Sequence, residues 1–344
     1  MEKQCIGIDV SKDHLDCCFG QSDSSQNHKF GKSKRFKNSK LGFLELLKWT
    51  KEQKGSGELF FVMEATGVYY ENLAFFLSDH DCKLSVLLPN MVKHYSKSLN
   101  IKTKTDQIDA EILSKLGLER KLQNWEMPTK IMRNLKALSR EYREVKFKIN
   151  QVKNQIHARK HSHNCPSTTA KRLQKQLALL EKQVLQIVKE LQALAKTDVA
   201  FYEKIEKICS IPGVSFITVI TIVAETNGFS LITNAKQLTS YAGLDIMHNQ
   251  SGNKQGKTKI SKKGNSFIRH ALYMPSLSAA RYNPELKKFY ERLVDRKPAK
   301  KIAITAVSRK LLILTYTLWK NDAKFDLNYE ENKNVDRVSP AYAG

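Results

Sequence analysis

The sequence predicts an α/β domain followed by regions built from helices, and three patterns carry this prediction. Up to Pro89, short apolar runs alternate with segments of helical spacing, as in an α/β sheet. Residues 129–197 repeat their apolar side chains at heptad spacing, which is typical of long packed helices. From residue 201 onward the chain has the composition of a second, mostly helical domain. The predicted class is therefore α/β plus all-α.

The predicted strands of the N-terminal part are short apolar runs, and helical segments lie between them. The first two strands surround a polar turn at Ser11–Asp13, and the third alternates and is basic. Three consecutive strands before the strand–helix alternation indicate a sheet with an antiparallel edge. We predict strands at residues 4–9, 14–19, 28–36, 58–64 and 84–88, and helices at residues 39–53 and 69–79.

Two long helices, 129–161 and 168–197, carry apolar residues that alternate by four and three positions. This seam predicts an antiparallel hairpin within the chain, a coiled-coil arm that forms a dimer or tetramer, or both. The seam positions are Ile131, Leu135, Leu138, Tyr142, Val145, Ile149, Val152 and Ile156, then Leu173, Leu177, Leu180, Val184, Ile187, Leu191 and Leu194.

The segment IPGVSFITVITIVAE (211–225) has the pattern of a helix–hairpin–helix, with Gly213 in the tight turn. The first backbone N–H groups of such a helix can hold a DNA phosphate, although a Pro-Gly turn is equally common in purely structural hairpins. Residues 302–319 have the composition of a buried helix. The predicted domains are 1–125, 126–198 and 199–325, followed by a tail at 326–344.

The net charge of +24 is unevenly distributed, since nearly all the excess lies in residues 121–196 and 251–310. Two concentrated basic blocks indicate a polyanionic partner rather than an evenly solvated surface. No run approaches the roughly 18 apolar residues of a membrane helix. The six cysteines are scattered without CxxC spacing, which fits a reducing cytoplasm and argues against a disulfide framework or a zinc ribbon.

Carboxylates stand where apolar elements end or begin. Asp9 ends the first predicted strand and Glu64 ends the buried strand 58–64, where an unpaired charge is costly. Asp106 and Asp109 are three residues apart at the start of a predicted helix and share one face. Taken singly, each could be a cap, a helix-dipole partner or a turn residue. Together, oxygen ligands of this kind predict a site for Mg²⁺ or Mn²⁺ that acts on phosphodiesters.

Three motifs, IGIDVSKDHLD, MEATGVYYENLAFFL and KTKTDQIDAEILSKLG, resemble the RuvC-like DEDD domain of the insertion-sequence 110 family of transposases, relatives of the Piv-type DNA invertases. The resemblance implies an RNase H-like fold in which Asp9, Glu64, Asp106 and Asp109 are the four acidic residues. It continues through IPGVSFITVITIVAE, LTSYAGLDIMHNQSGN and KISKKGNSFIRHAL, which are similar to the second conserved domain of that family.

Ser251 lies in HNQSGNKQGK, a segment of small and basic residues that lets a backbone approach a phosphate closely. From the residues alone, a turn role is the simpler interpretation. The resemblance implies instead that Ser251 is the nucleophile that forms a covalent link to DNA. We expect cations that follow it to hold the DNA backbone, namely Lys254, Lys257, Lys259, Lys262, Lys263 and Arg269.

These observations predict a DNA recombinase, a transposase that acts on element ends and target DNA in the cytoplasm. The resemblance further implies a structured RNA encoded by the element, which pairs with both DNAs. Two alternatives stay open: a metal-only nuclease of the Holliday-junction-resolvase type with a structural Ser251, and a non-catalytic scaffold that binds nucleic acid. A covalent protein–DNA intermediate distinguishes the recombinase from the nuclease, whereas the scaffold predicts that losing the carboxylates changes only stability.

Overall fold

The computed structural model divides into two units, Met1–Met127 and Pro128–Gly344. It describes residues 3–53, 55, 57–65, 67–101, 105–163, 165–230, 232–247, 250–251, 254–255, 258–296 and 299–326. The N-terminal unit is mixed α/β and the described C-terminal unit is mostly helical, which confirms the predicted class at this level. The four-part division proposed from the sequence stays a prediction.

A sheet of six strands organises the N-terminal unit. Along it the strands follow the order β3-β2-β1-β5-β6, and β4 also pairs with β2. The β1–β2 pair is antiparallel, whereas β5 runs parallel to both β1 and β6. The antiparallel edge is therefore present as predicted. The strands are β1 (Lys3–Val10), β2 (His14–Ser22), β3 (His28–Phe30), β4 (Lys34–Lys37), β5 (Glu58–Glu64) and β6 (Leu84–Leu87).

The single strand predicted at 28–36 is wrong in its extent, because the segment forms two strands, β3 and β4. Both pair with β2, β3 opposite Gly20–Ser22 and β4 opposite His14–Cys17. Residues 31–33 between them have no regular structure.

Four helices accompany the sheet, and one of them, α4, presses directly on β1. A Cβ atom at Gly7 would lie 2.0 Å from the carbonyl oxygen of Ala110 and 2.2 Å from the amide nitrogen of Ser114. Only glycine permits this approach of helix to strand. The helices are α1 (Lys40–Gln53), α2 (Glu71–Asp79), α3 (Pro89–Ser98) and α4 (Asp106–Glu119), and α3 was not predicted from the sequence.

The C-terminal unit consists of eight described helices and four two-residue strands. The helices are α5 (Lys130–Lys160), α6 (Ser167–Lys196), α7 (Val199–Cys209), α8 (Phe216–Glu225), α9 (Ala235–Tyr241), α10 (Ser266–Tyr282), α11 (Pro284–Arg296) and α12 (Lys300–Asn321). The strands are β7 (Ile246–Met247), β8 (Gln250–Ser251), β9 (Lys254–Gln255) and β10 (Lys259–Ile260).

Helices α5 and α6 pack against each other along the predicted seam. Their buried side chains belong to the same core as those of α7, α8, α10 and α12. The apolar side chains of the seam are thus buried within one chain, as the hairpin interpretation expects. A coiled-coil arm between chains stays a prediction. Its buried members are Leu135, Val145, Ile149, Val152, Leu180, Ile187 and Leu191.

Among the described residues, α12 is the one helix long and apolar enough to cross a membrane. Val307, Leu311 and Leu312 on this helix are completely buried in the core of the unit. A central helix of a packed core passes the same test of length and composition, and the burial of α12 is that of such a helix.

We expect Leu191→Ala to lower the free energy of unfolding by about 2–5 kcal/mol, because it opens a cavity in a packed core. Leu191 is fully buried, whereas Leu185 on the same helix is 66% exposed. The matched variant Leu185→Ala should therefore change stability by no more than about 0.5 kcal/mol. Denaturant unfolding followed by circular dichroism measures both, and equal losses would contradict the assigned seam.

Candidate functional site

Two of the predicted carboxylates lie at one edge of the N-terminal sheet. Asp9 is the penultimate residue of β1, and Glu64 is the last residue of β5. The strands are parallel and Ile8 pairs with Met63, so Asp9 and Glu64 occupy the next position on neighbouring strands. The carboxyl ends of parallel strands are where α/β sheets place their ligand sites.

The other two predicted carboxylates are Asp106 and Asp109, and both lie in the first turn of α4. Asp106 is not the N-cap, since the hydroxyl of Thr105 accepts the amide of Ile108 at 3.3 Å. Negative side chains in this turn are favoured by the positive end of the helix dipole. The close packing of α4 on Gly7 brings this turn to the end of β1.

The electrostatics of Asp9 show that these acids surround it. Burial, the largest cause, and the negative charges of Asp109, Asp106, Glu64 and Asp16, in that order, together raise its pKa from 3.8 to about 6. Each of these effects disfavours the ionised form. Near neutral pH an ionised Asp9 therefore experiences repulsion that a bound cation would relieve.

As the side chains stand, no group of three or more His, Cys, Asp or Glu residues within the described part of the chain is arranged to hold a metal ion. Carboxylate oxygens are nonetheless the ligands that Mg²⁺ and Mn²⁺ prefer, so the donor chemistry fits a hard divalent cation.

Two charged residues that the sequence did not predict, Asp16 and Arg35, lie beside these acids. Asp16 lies on β2 directly opposite Asp9, and its side chain is only 6% exposed. Arg35 donates from Nε and Nη2 to the two carboxylate oxygens of Asp16, at 2.9 and 3.0 Å. Its Nη2 also donates to Oδ2 of Asp106 at 3.1 Å. Asp16 interrupts the apolar run HLDCCF, so the rule that singled out Asp9 could also have found it.

In the C-terminal unit, Ser251 lies on β8, a two-residue strand of a small antiparallel pair. Strand β8 pairs with β9, which places the backbone of Ser251 opposite that of Lys254. Strand β7 pairs with β10, which includes Lys259. Lys259, Lys262 and Lys263 are exposed. Lys257, also predicted to bind nucleic acid, lies outside the described residues.

The two ends of this serine loop, residues 243–264, are held together by Arg269. Its Nη1 donates to the carbonyl oxygen of Ala242 at 2.7 Å and to that of Gly264 at 3.0 Å. Gly243 has a φ of +66°, and a Cβ there would lie 2.6 Å from the same Nη1. This nitrogen of Arg269, predicted to bind nucleic acid, therefore contacts protein carbonyls in the structure.

A buried carboxylate, also missed from the sequence, supports the same loop. The Glu225 side chain is fully buried and receives two hydrogen bonds from Arg140, at 2.6 and 2.9 Å. Asn265 donates its side-chain amide to Glu225 at 2.7 Å while capping the start of α10. Tyr241 donates its hydroxyl to the Glu225 carbonyl at 2.8 Å. The network ties α5, α8, α9 and α10 together.

Gly213 occupies the turn between α7 and α8 with a φ of +90°. A Cβ there would lie 2.8 Å from the Cβ of Ser278 on α10. Packing and backbone geometry thus both require glycine at this position. Its predicted contact with a DNA phosphate stays a prediction.

Replacing Arg269 with alanine should loosen the ends of the serine loop, because two carbonyl oxygens lose a charged donor. We expect amide exchange at Lys262 and Asn265, which donate to Gly243 and Tyr241, to accelerate about tenfold, as for the loss of roughly 1.5 kcal/mol. Arg281→Ala, at an exposed position of the same helix, is the matched control. Unchanged exchange in Arg269→Ala would show that the loop ends are held without the guanidinium.

Comparison with known proteins gives two family matches. A family model described as a transposase, with a DEDD domain of the IS110 type, matches residues 6–159. A second, described as the transposase IS116/IS110/IS902 family, matches residues 205–291. Together the two matches include all four predicted carboxylates and the serine loop.

Similar proteins include the pilin gene-inverting protein of Moraxella bovis, 30% identical over 340 residues that cover 96% of this chain and 100% of that protein. The transposase for insertion sequence element IS1111A of Coxiella burnetii is 26% identical over 137 residues, 39% of this chain and 36% of that protein. Among solved structures, Thermus thermophilus RuvC in complex with a Holliday junction substrate has a TM-score of 0.27 and 11% identity, covering 36% of this chain and 99% of that one.

Proposed function

We propose, since the chain belongs to the IS116/IS110/IS902 family of transposases, that it cuts and rejoins DNA with an acidic metal site and a serine nucleophile. Membership makes the chain a DNA-recombining enzyme whose partner is DNA. The finer proposal concerns which residues perform the chemistry. The observation that carries it is the convergence of four carboxylate charges on the half-buried Asp9.

Asp9, Glu64, Asp106 and Asp109 would hold Mg²⁺ or Mn²⁺ at the end of β1. When bound, such an ion supplies positive charge that polarises a phosphodiester and stabilises its leaving oxygen. The protein contributes the strand ends that fix Asp9 and Glu64 and the helix turn that presents Asp106 and Asp109.

Ser251 would attack the phosphorus of the cleaved strand. Its Oγ forms a new O–P bond and loses its proton to a base, while the bond to the departing strand oxygen breaks and that oxygen takes a proton. The resulting ester conserves the energy of the phosphodiester, so rejoining needs no external energy source. The carbonyl contacts of Arg269 and the capping by Asn265 would keep the loop in place during this exchange.

Several finer features belong to the same proposal. The N-terminal sheet would be RNase H-like, the α5–α6 pair a coiled-coil hairpin, and the α7–α8 segment a helix–hairpin–helix in which Gly213 meets a phosphate. A structured guide RNA would use the basic surfaces. A homo-oligomer, dimer or tetramer, would form through the outer sides of α5 and α6, where large apolar side chains are exposed, namely Phe147, Leu179 and Leu185.

Magnesium should stabilise the wild-type protein and fail to stabilise Asp9→Asn, because the amide removes a charge of the site without much volume. At a Mg²⁺ concentration of 100 times Kd, binding contributes about 2.7 kcal/mol to stability. Asp13→Asn, at an exposed turn position four residues away, is the control and should respond like wild type. The measurement is thermal unfolding with and without Mg²⁺. An equal response of wild type and Asp9→Asn would exclude Asp9 as a ligand.

Ser251→Ala should bind DNA normally and lose recombination completely, because only the attacking oxygen is removed. Ser251→Cys should keep traces of activity, since a thiolate is also nucleophilic. Ser266→Ala, at an exposed position in the same basic block, should recombine like wild type.

Denaturing electrophoresis of end-labelled DNA after a stalled reaction, followed by peptide mapping, reveals the adduct. An adduct at Ser251 supports the serine mechanism. Full cleavage by Ser251→Ala without an adduct would favour the metal-only nuclease. An adduct at another serine would show that the other serine, and not Ser251, is the nucleophile.

A further inference from the structure

Arg35 lies in a row of charged residues that crosses the N-terminal sheet. In the strand register, Arg35 on β4 is paired with Asp16 on β2, and Asp16 is paired with Asp9 on β1. Glu64 follows on β5, the next strand. Neighbouring strands are about 4.8 Å apart, so Arg35 lies two strands from Asp9 and three from Glu64.

Arg35 makes two contacts of different quality with the acids. Both carboxylate oxygens of Asp16 accept from it, and this carboxylate is buried. A buried carboxylate needs a permanent cation and bidentate geometry suits a guanidinium. The contact with Asp106 is a single hydrogen bond at 3.1 Å, between side chains that are 54% and 62% exposed. Water competes well for such an exposed bond, so it can exchange.

The second contact holds Oδ2 of Asp106 at 3.1 Å from a side chain of β4, which lies two strands from β1. This position agrees with the absence, within the described ranges, of three acids arranged to hold an ion. A carboxylate bound to Arg35 and one that completes a site between Asp9 and Glu64 need different positions of the same side chain.

We propose that Arg35 is a positioning residue of the acidic site: it neutralises Asp16 permanently and holds Asp106 in the metal-free state, releasing Asp106 when a divalent cation binds. This inference rests on the proposed metal site. Arg35 then has two roles. Its contact with Asp16 is structural, and its contact with Asp106 competes with the metal ion.

The competition predicts that removing the guanidinium strengthens metal binding. Arg35→Gln frees Asp106 but leaves Asp16 buried without its cation, which endangers the fold. The double variant Arg35→Gln/Asp16→Asn removes one positive and one negative charge, so the net charge of the region equals that of wild type. Any gain in affinity then comes from the release of Asp106 and not from added negative charge.

The experiment is a calorimetric titration of the full chain with Mg²⁺, and with Mn²⁺ as a second probe. We expect the double variant to bind about tenfold more tightly than wild type. Lys37→Gln is the matched control, because Lys37 is exposed on the same strand two residues from Arg35. It removes a positive charge without freeing an acid, and its affinity should stay within about twofold of wild type.

An unchanged Kd in the double variant would overturn the inference, since Arg35 would then not compete with the metal. A weaker Kd would also overturn it and show that Arg35 holds Asp106 in the position a ligand requires. Equal tightening in Lys37→Gln, which frees no acid, would show that affinity does not report the release of Asp106, and it would also overturn the inference. If neither wild type nor any variant binds the ion, the proposed metal site itself fails and the inference with it.

Discussion

The contact between α4 and β1 at Gly7 fixes the geometry on which the acidic site depends. A side chain at this position would collide with the backbone of the helix at Ala110 and Ser114, so the approach exists only with glycine. Because the helix begins at Asp106, its distance from the strand determines how near the first turn comes to Asp9. Any residue larger than glycine would move the helix start, and two of the four carboxylates with it.

Bringing these negative charges together costs free energy in the folded chain. The pKa of Asp9 is about 6 in the folded chain against an ordinary 3.8, so the folded state holds a proton that the unfolded chain has already released between these values. Stability therefore falls as the pH rises through this window. At neutral pH the repulsion between these carboxylates remains, and a nearby positive charge reduces it. Arg35 offsets part of it, but its firmest contact is with Asp16.

The parts of the site that sequence alone could predict are those that local pattern determines. Asp9 and Glu64 end apolar runs, and the spacing of Asp106 and Asp109 puts them in one helical turn. Arg35 could not be found this way, because its role arises from the pairing of β4 with β2, and the segment around it was predicted as one continuous strand. The structural class of each unit could be predicted from the spacing of its apolar residues. Helix α3 and the short strands around Ser251 have no comparable apolar repeat, so they were not predicted.

Some of the positive residues in the C-terminal unit are bonded within the protein, so its net charge does not equal the charge exposed to a partner. Two of its arginines hold the protein together: Arg140 pairs with the buried Glu225, and Arg269 donates to carbonyl oxygens at the ends of the serine loop. Lys207 likewise pairs with Asp322. Since each phosphate contact with duplex DNA contributes about 0.9 to the slope of log affinity against log salt, the net charge overstates the slope to be expected. Lys259, Lys262 and Lys263 on the serine loop are exposed, so they could contact a DNA backbone without leaving a buried position. The serine loop thus presents exposed cations, while the contacts of Arg269 hold its two ends together.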